Sequence, residues 1–549
     1  MSRHILVAVA WPYASGSLHL GHLAGAYLPA DIFARYHRLA GNRVLMVSGS
    51  AGHGTPITVR ADQEGVSPQE IVDRYHPEIL GYWESLGISF DLFTTTLTDN
   101  HRDVTWDIFR AHRKRGTIVA GESLQFYDPE AKRFLPDRYV EGTCPHCGYE
   151  KARGDQCDNC GRTLDPIDLI NPRSALTGAT PVQQETKHWF LRLGAFSDEV
   201  KSWLESKEGW RRHVKNWALG MIEEGLPDRA ITRDLTWGVP IPPEADTLGD
   251  GKRIYVWFEA VIGYLSAAKE WASRQGTPEA WREWWQNPEA ESYYFVGKDN
   301  IPFHAVIWPA MLIGYGEHNP PTNVPANQYV TFKGAKASKS MGVGRSIGWY
   351  AKRLEPDALR FAIGSILPEQ NDTDLTDDEI IRRINEELVA TWGNLVNRVL
   401  TVTSRNFEGV VPQPGQLTDD DQKLLAGIDQ ALIDIGESIE AVELRAGLRI
   451  SMETATAVNV YLNATEPWKL IKSDRERAAT VLWTAIAAIA GLRVGFSPYL
   501  PFTSDTLAEM LGGQKTPGWR RPEITAGTRL GEVFPLFRKI EDDILDDGE

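Results

Sequence analysis

The sequence is poor in cysteine and in long hydrophobic stretches. Its four cysteines all lie between positions 144 and 160 of 549 residues, which excludes a disulfide framework that extends through the chain. No apolar run reaches the roughly 18 residues of a membrane span. The best candidate, Ala478 to Leu492, contains Thr484 and is followed by Arg493, so it predicts a packed helix. The first apolar run ends at Pro12, too early for a signal peptide. We therefore expect a cytoplasmic protein with no membrane segment.

Positive charge is also scarce. The 58 lysines and arginines are outnumbered by 74 aspartates and glutamates, which gives a net charge of −16 at pH 7. Lysine and arginine drive binding to nucleic-acid phosphates, so the average charge does not favour such a partner. Short basic stretches such as 211–215 and Arg382-Arg383 are either solvated helix faces or a local nucleic-acid footprint. The charge leaves RNA binding open.

Two histidines follow the first apolar run. His4 to Ala10 predicts a buried strand, residues 11–17 form a loop, and His19 and His22 lie in the first turn of the next helix. Side chains three residues apart share a helix face, and a helix N-terminus attracts anions. Gly21 keeps the backbone between them accessible. The pattern favours a nucleotide phosphate, and two ordinary, partly buried histidines are the alternative.

A second cationic stretch lies about three hundred residues later. It reads Lys336-Ala337-Ser338-Lys339-Ser340 and is followed by a glycine-containing segment, 341–344. Two lysines beside small residues favour a mobile loop that closes over a triphosphate. Taken alone, such a loop is most often a solvated turn.

HLGH and KASKS together resemble the two motifs of class I aminoacyl-tRNA synthetases, whose second motif usually reads KMSKS. Further segments resemble the methionyl-tRNA synthetase family in the same order along nearly the whole chain. They are Ala10 to Tyr13, His53 to Ile57, Phe134 to Arg138, Tyr255 to Ala260, Gly297 to Asp299, and Phe303-His304. The resemblance implies that the chain activates methionine with ATP and transfers it to tRNA(Met).

The pattern of apolar segments predicts the fold. Strand, helix and a second strand at Arg43 to Gly49 indicate a parallel sheet, which we expect to resume at Arg253 to Phe258, Tyr293 to Val296 and Gln328 to Phe332. From Glu64 to Arg115 the spacing is helical. Beyond Gly348 helix follows helix, with expected bounds Ile380 to Val402, Gln422 to Leu444, Leu448 to Asn463 and Arg475 to Leu492.

We therefore predict an α/β protein. The resemblance implies that its catalytic domain is a Rossmann-type parallel sheet interrupted by a zinc-bearing insertion, and that the α-helical bundle that follows binds the anticodon. The expected limits are 1–116 and 251–330 for the two halves of the catalytic domain, 117–250 for the insertion, 331–390 for the KASKS loop and stem-contact region, and 391–549 for the bundle.

The cysteines form two CxxC pairs nine residues apart. Cys144 and Cys147 are one pair, and Cys157 and Cys160 are the other. Disulfides are disfavoured in a reducing compartment, whereas two knuckles of this spacing suit one tetrahedral Zn–S₄ site. A site with four thiolates has no open position, so we expect one structural zinc.

The resemblance also implies which residues bind ATP and methionine. Those expected at ATP, which is bound together with magnesium, are His19, His22, Gly297, Asp299, Lys336 and Lys339, and the two histidines and two lysines carry the catalysis. Asp299 would hold ribose hydroxyls, and a helix N-cap is its alternative role. Those expected around methionine are Ala10, Trp11, Tyr13, Ala51, Trp257, Ala260, Val261, Tyr264 and His304. By spacing alone most of the second group would be core.

Ala51 departs from the family pattern. An aspartate normally occupies this position, where its carboxylate holds the α-amino group of methionine. We expect its absence to weaken methionine activation, although Ser48, Ser50 or a backbone carbonyl can still accept a hydrogen bond from an ammonium.

In the bundle, Asn394, Arg398 and Trp468 match the positions through which the family recognises the CAU anticodon. Without the resemblance each would pass as an ordinary bundle residue.

Two other functions stay open at this point. One is a synthetase-like protein that binds tRNA, or has altered specificity, and whose methionine activation is weakened by Ala51. The other is a small HxxH nucleotidyltransferase acting on a different acid, which needs neither the zinc insertion nor the bundle. Because the chain stops soon after its bundle, we expect a monomer.

Overall fold

A computed structural model gives the fold. It describes residues 2–157, 159–160, 162, 164–249, 251–332, 335–336 (backbone only), 344–513, 516, 518–541 and 543–545.

The catalytic body is built on a parallel sheet. Among the described residues its strands run in the order Ala326–Asn327, Glu291–Gly297, His4–Val9, Arg43–Ser50 and Leu92–Thr95. The central strand alternates between two cores, because Ile5, Val7 and Val9 pack on one side and Leu6 and Ala8 on the other. Burial on both faces explains its continuous apolar sequence.

Helices cover both faces of this sheet. The helices of the catalytic body are Leu20–His22, Leu28–Leu39, Thr55–Glu64, Pro68–Leu86, Asp99–Arg115, Val256–Arg274, Arg282–Trp285 and Trp308–Tyr315, with π-helical turns at Leu23–Tyr27 and Phe303–Ile307. A parallel sheet between helices confirms the predicted fold class.

Two local expectations were wrong. Arg253 to Phe258 is not a strand of the parallel sheet: Lys252–Ile254 pairs antiparallel with Thr232–Asp234, and Val256 begins the helix to Arg274. The region from Glu64 to Arg115 is not all helical, because Leu92–Thr95 is an edge strand beside Arg43–Ser50. In both places a short apolar run left helix and strand indistinguishable by periodicity.

The insertion consists of small antiparallel sheets. A long hairpin pairs Ile118–Asp128 with Val182–Leu191, flanked by Arg133–Phe134 and Arg229–Ala230. A second sheet, made of Ala152–Arg153, Val140–Thr143 and Ile170–Ser174, carries the cysteine knuckles. Helices Ser197–Glu205 and Arg212–Glu223 lead back towards the body.

A third small sheet follows the parallel one. Val330–Phe332 pairs with Ala335–Lys336 and with Thr373–Leu375. The predicted strand at Gln328 to Phe332 therefore belongs to this separate sheet. Helices Ile347–Ala351 and Pro356–Gly364 lie between its strands along the chain.

The C-terminal part is a helical bundle, as predicted. Its segments are Asp377–Arg382, the π-helical Arg383–Gly393, Asn394–Asn406, Asp419–Glu440, Leu444–Thr465, Pro467–Ser473, Arg475–Phe496 and Pro501–Met510. Among the described residues, the helix Arg475–Phe496 is long and apolar enough to span a membrane, but 94% of its most apolar 18-residue stretch is buried inside the protein. It is the core helix of the bundle.

Arg360 ties the bundle to the catalytic body. Its guanidinium is buried and donates to the carbonyls of Leu86, Pro498 and Tyr499 and to Asp31 Oδ2 at 2.7 Å. Asp31 also accepts from Arg35 and Ser89. This buried pair fixes the packing of four segments, since an unpaired partner would be strongly destabilising.

Candidate active site

A cavity of about 800 Å³ opens beyond the carboxyl ends of the central strands. Its walls combine the first loop and helix, with Trp11, Tyr13, His19 and His22, and the end of strand Glu291–Gly297. The insertion closes the other side with Arg138, Arg153 and Gln156. The volume suits a small ligand of the size of a nucleotide joined to an amino acid.

His19 and His22 stand side by side, with ring centroids 3.9 Å apart. The backbone N–H of Gly21 donates to His19 Nδ1 at 3.1 Å, and that of His19 donates to His22 Nδ1 at 3.3 Å. Because both Nδ1 atoms accept, both Nε2 atoms carry a proton. Two neighbouring N–H donors, on rings tilted by 49° to each other, can bind one phosphate next to a helix N-terminus.

The segment after the KASKS loop is attached to the histidine segment. Ser346 forms an isolated bridge with His19, and the N–H of Ile347 donates to the carbonyl of Leu18 at 2.8 Å. At the start of the KASKS loop, the backbone of Lys336 pairs with that of Thr331. The Lys336 side chain and the whole of Lys339 lie outside the described residues.

Asp299 lies in a short turn at the end of strand Glu291–Gly297 and lines the cavity. A Cβ on Gly297 would lie 2.9 Å from Asp299 Oδ1, so the glycine gives this carboxylate room. The helical segment that follows has Pro302 as its N-cap and is not capped by the side chain of Asp299. The ribose-binding role of Asp299 stays a prediction.

An aromatic pocket adjoins the cavity. Trp257 stacks on Phe303 with ring centroids 3.9 Å apart and planes at 7°, and Tyr13 meets Trp257 edge-on at 6.3 Å. Trp11 contacts Tyr264 edge-on at 6.4 Å. The structure brings these residues together with Ala260 and Val261, which lie on the same helix face as Trp257 and Tyr264.

His304 is neutral in this pocket. Its Nδ1 lies 2.9 Å from the carbonyl of Asn300, which can only accept, so Nδ1 donates and Nε2 accepts from the Tyr264 hydroxyl at 2.7 Å. Burial lowers the pKa of His304 to about 4. The pocket thus presents no imidazolium charge at neutral pH.

The four cysteines lie together in the insertion. Their Sγ atoms are all within 4.8 Å of one another, and the pairs Cys147–Cys157 and Cys144–Cys160 are separated by 3.6 and 4.0 Å. A tetrahedral zinc with Zn–S bonds of about 2.3 Å requires S–S edges of about 3.8 Å. The sulfurs therefore fit a closed tetrahedral metal site.

A second constellation lies in the bundle. The Arg398 guanidinium is 5.3 Å from the Trp468 ring centre, and it donates to Asn459 Oδ1 at 2.9 Å and Asn463 Oδ1 at 3.2 Å. Asn394 lies one helical turn before Arg398 and is exposed. An aromatic ring with amide and guanidinium groups is suited to single-stranded bases.

Known proteins share this architecture over the whole chain. The family model described as tRNA synthetases class I (M) matches residues 5–400, and the anticodon binding domain of methionyl tRNA ligase matches residues 411–548. The chain belongs to the methionyl-tRNA synthetase family. The methionine–tRNA ligases of Chloroflexus aggregans and a Roseiflexus species are each 52% identical to it, over 100% of this chain and 98% of theirs.

A solved structure supports the same family. The Mycobacterium tuberculosis methionyl-tRNA synthetase in complex with methionyl-adenylate superposes with a TM-score of 0.80 at 26% identity, and covers 98% of this chain and 100% of its own. Membership in this family makes the chain an aminoacyl-tRNA ligase that acts with methionine. The comparisons support this function and not the alternative of a tRNA-binding or altered-specificity relative.

Ala51 is buried beside the pocket, where it bridges to Tyr13 through the backbone. Its N–H donates to the carbonyl of Pro12 at 2.8 Å, and its carbonyl accepts from Ala14 at 3.1 Å. Of the substitutes proposed for the missing carboxylate, the Ser48 hydroxyl donates to the carbonyl of Val9 and Ser50 pairs with His76. Neither serine provides a negative charge that could pair with the ammonium group of methionine.

A buried carboxylate near this position escaped the sequence analysis. Glu259 pairs with His101, and its Oε1 is 3.4 Å from His53 Nδ1. Burial alone would raise the pKa of Glu259, but hydrogen bonds and charge from the two histidines outweigh it and hold the pKa below its usual value. The sequence feature that could have identified Glu259 is its position as a lone acidic residue within an apolar helical segment.

Phe303 and Gln156 were also missed as site residues. Phe303 precedes His304 in a segment that resembles the family, so its position in the pocket, stacked on Trp257, could have been predicted. Gln156 carries no local pattern that points to the cavity.

Proposed function

We propose that the cavity performs methionine activation and the subsequent transfer to tRNA(Met). Methionine carboxylate attacks the α-phosphate of ATP and pyrophosphate leaves; the terminal ribose hydroxyl of the tRNA then attacks the carbonyl carbon of the methionyl adenylate, loses its proton and displaces AMP. The observation that carries this proposal is the position of the paired imidazole donors beside an aromatic pocket within one cavity. No side-chain nucleophile is required, so positioning and charge neutralisation provide the catalysis.

The phosphate end of ATP is assigned to the first helix and the KASKS loop. His19 and His22 donate through Nε2 to phosphate oxygens, and Lys336 and Lys339 neutralise the β- and γ-phosphates as pyrophosphate separates. The bridge between Ser346 and His19 supports this assignment, because it fixes one end of the loop next to the histidines. Magnesium bound with ATP would supply further positive charge to the triphosphate.

The amino-acid end is assigned to the aromatic pocket, which consists of Ala10, Trp11, Tyr13, Ala51, Trp257, Ala260, Val261, Tyr264 and His304. Its rings suit a thioether through sulfur–aromatic contacts worth about 0.3–1.5 kcal/mol each. The neutral Tyr264–His304 pair lets the substrate's ammonium enter without charge repulsion. Gly297 and Asp299 are assigned to the ribose of ATP.

Anticodon recognition is assigned to Asn394, Arg398 and Trp468. The stack of Arg398 on Trp468 supports this, since bases can add to the ring while the guanidinium and the amide bond their edges. The four cysteines would hold one structural zinc. We further propose a cytoplasmic monomer with the domain limits given from the sequence, and light scattering at micromolar concentration measures the mass directly.

Pyrophosphate exchange with each of the twenty amino acids tests the substrate. We expect methionine to support exchange above every other amino acid. Stronger exchange with a different amino acid would overturn the assignment of the pocket.

A further inference from the structure

The cysteine-bearing insertion touches the opposite wall of the cavity. Gln156 Nε2 donates to the backbone carbonyl of Asp299 at 3.0 Å, across 143 positions of sequence. Both residues line the cavity. One side chain of the insertion thus contacts the segment that we assign to the ribose of ATP.

The backbone that carries Gln156 is rigidly held. The N–H of Gly154 donates to the carbonyl of Val140 at 3.2 Å, and a Cβ on Gly154 would lie 2.4 Å from the carbonyl oxygen of Asp137, so only glycine fits. The Asp155 carboxylate accepts from Arg138 Nε at 2.8 Å. The backbone at Gln156 therefore has a fixed position, from which the side chain reaches Asp299.

The residue after Gln156 belongs to the four-cysteine cluster. Cys157 is buried, its N–H donates to the carbonyl of Arg162 at 2.9 Å, and its Sγ is 3.6 Å from that of Cys147. Metal binding by the four sulfurs would fix this knuckle, and loss of the metal would release it. A structural change at Cys157 therefore occurs next to Gln156, whose side chain donates the hydrogen bond to Asp299.

We propose that Gln156 is a positioning residue that links the metal state of the insertion to ATP binding. Its amide holds the Asp299 backbone, and with it the orientation of the Asp299 carboxylate towards the ribose. The inference rests on the proposed function only in assigning Asp299 to the ribose of ATP. Methionine binding is not part of it, because the pocket rings belong to other elements.

Two variants test the link between the insertion and ATP binding. Gln156→Ala removes the side chain, and Gln156→Met keeps its length but removes the hydrogen-bond donor. Equilibrium dialysis measures the Kd of ATP in the absence of methionine and tRNA, and pyrophosphate exchange measures KM and kcat. One neutral hydrogen bond predicts an increase of about two- to tenfold in the Kd and KM of ATP, with kcat and the KM of methionine within twofold. Gln184→Ala, an exposed glutamine of the same insertion, is the matched control and should leave every value unchanged.

Metal removal provides the decisive comparison. Removal of zinc by chelation, with magnesium restored before dialysis, zinc content followed by metal analysis and folding by circular dichroism, should weaken ATP binding in the wild type but add little in Gln156→Met. Equal chelation effects in both proteins, or a Kd of ATP unchanged by both variants, would overturn the proposal. Because dialysis detects ATP without methionine, failure of the methionine assignment would leave this readout intact.

Discussion

Restoring a carboxylate at position 51 should improve the use of methionine. Ala51 is 2% exposed, and the nearby serine hydroxyls are neutral and already bonded to Val9 and His76. Glu259, the buried carboxylate nearby, is paired with His101. An added carboxylate would form a charge-assisted bond to the substrate ammonium worth about 1.5–3 kcal/mol, which lowers the KM of methionine roughly ten- to a hundredfold.

Pyrophosphate exchange at varied methionine concentration measures this effect. Ala51→Asn is the matched control, because it has the same shape but no charge. We also expect Ala51→Asp to be less stable than wild type without methionine, since its carboxylate is then buried and unpaired, and to gain more stability when methionine is added. A KM for Ala51→Asp no lower than that of Ala51→Asn would refute the electrostatic argument.

Three other predictions address the insertion, the bundle and the buried histidines. About one equivalent of zinc should copurify with the protein, and Cys147→Ser should lose it; metal analysis of reduced wild type without zinc would exclude the site. Arg398→Ala should raise the KM of tRNA(Met) at least tenfold in aminoacylation and leave methionine-dependent exchange unchanged, whereas Arg449→Ala, on an exposed arginine of the bundle, should change neither. Burial lowers the pKa of His37 to about 3 and of His112 and His304 to about 4. Since the unfolded chain takes up these protons near pH 6.5 and the folded protein does not, the free energy of unfolding should fall between pH 6.5 and 4, by up to about 1.4 kcal/mol per pH unit for each histidine. Urea unfolding at pH 7 and pH 5 measures this, and equal values would contradict it.

Local sequence patterns predicted much of the fold. The strands at His4 and Arg43 are continuous apolar runs because helices cover both faces of the sheet. The bundle was visible from long amphipathic segments. The helix that begins at Val256 was mistaken for a strand because its first residues are aromatic and β-branched, although Trp257, Ala260, Val261 and Tyr264 have helical spacing.

The contacts that complete the site depend on tertiary structure. The link from Gln156 to Asp299 and the pairing of Glu259 with His101 join segments more than 140 residues apart. No local periodicity encodes such pairs. The histidine pair, by contrast, needs only three residues of helix and was predictable.

The most direct test of the account is methionine-dependent pyrophosphate exchange in His22→Ala. If His22 Nε2 donates to the phosphate as charge develops in the transition state, the exchange rate should fall about a hundred- to a thousandfold. Circular dichroism and thermal unfolding should match the wild type, and Gln184→Ala, an exposed residue of the insertion away from the cysteines, should exchange at the wild-type rate. An exchange rate for folded His22→Ala within a fewfold of the wild type would contradict the phosphate-binding role on which the assignment of this cavity depends.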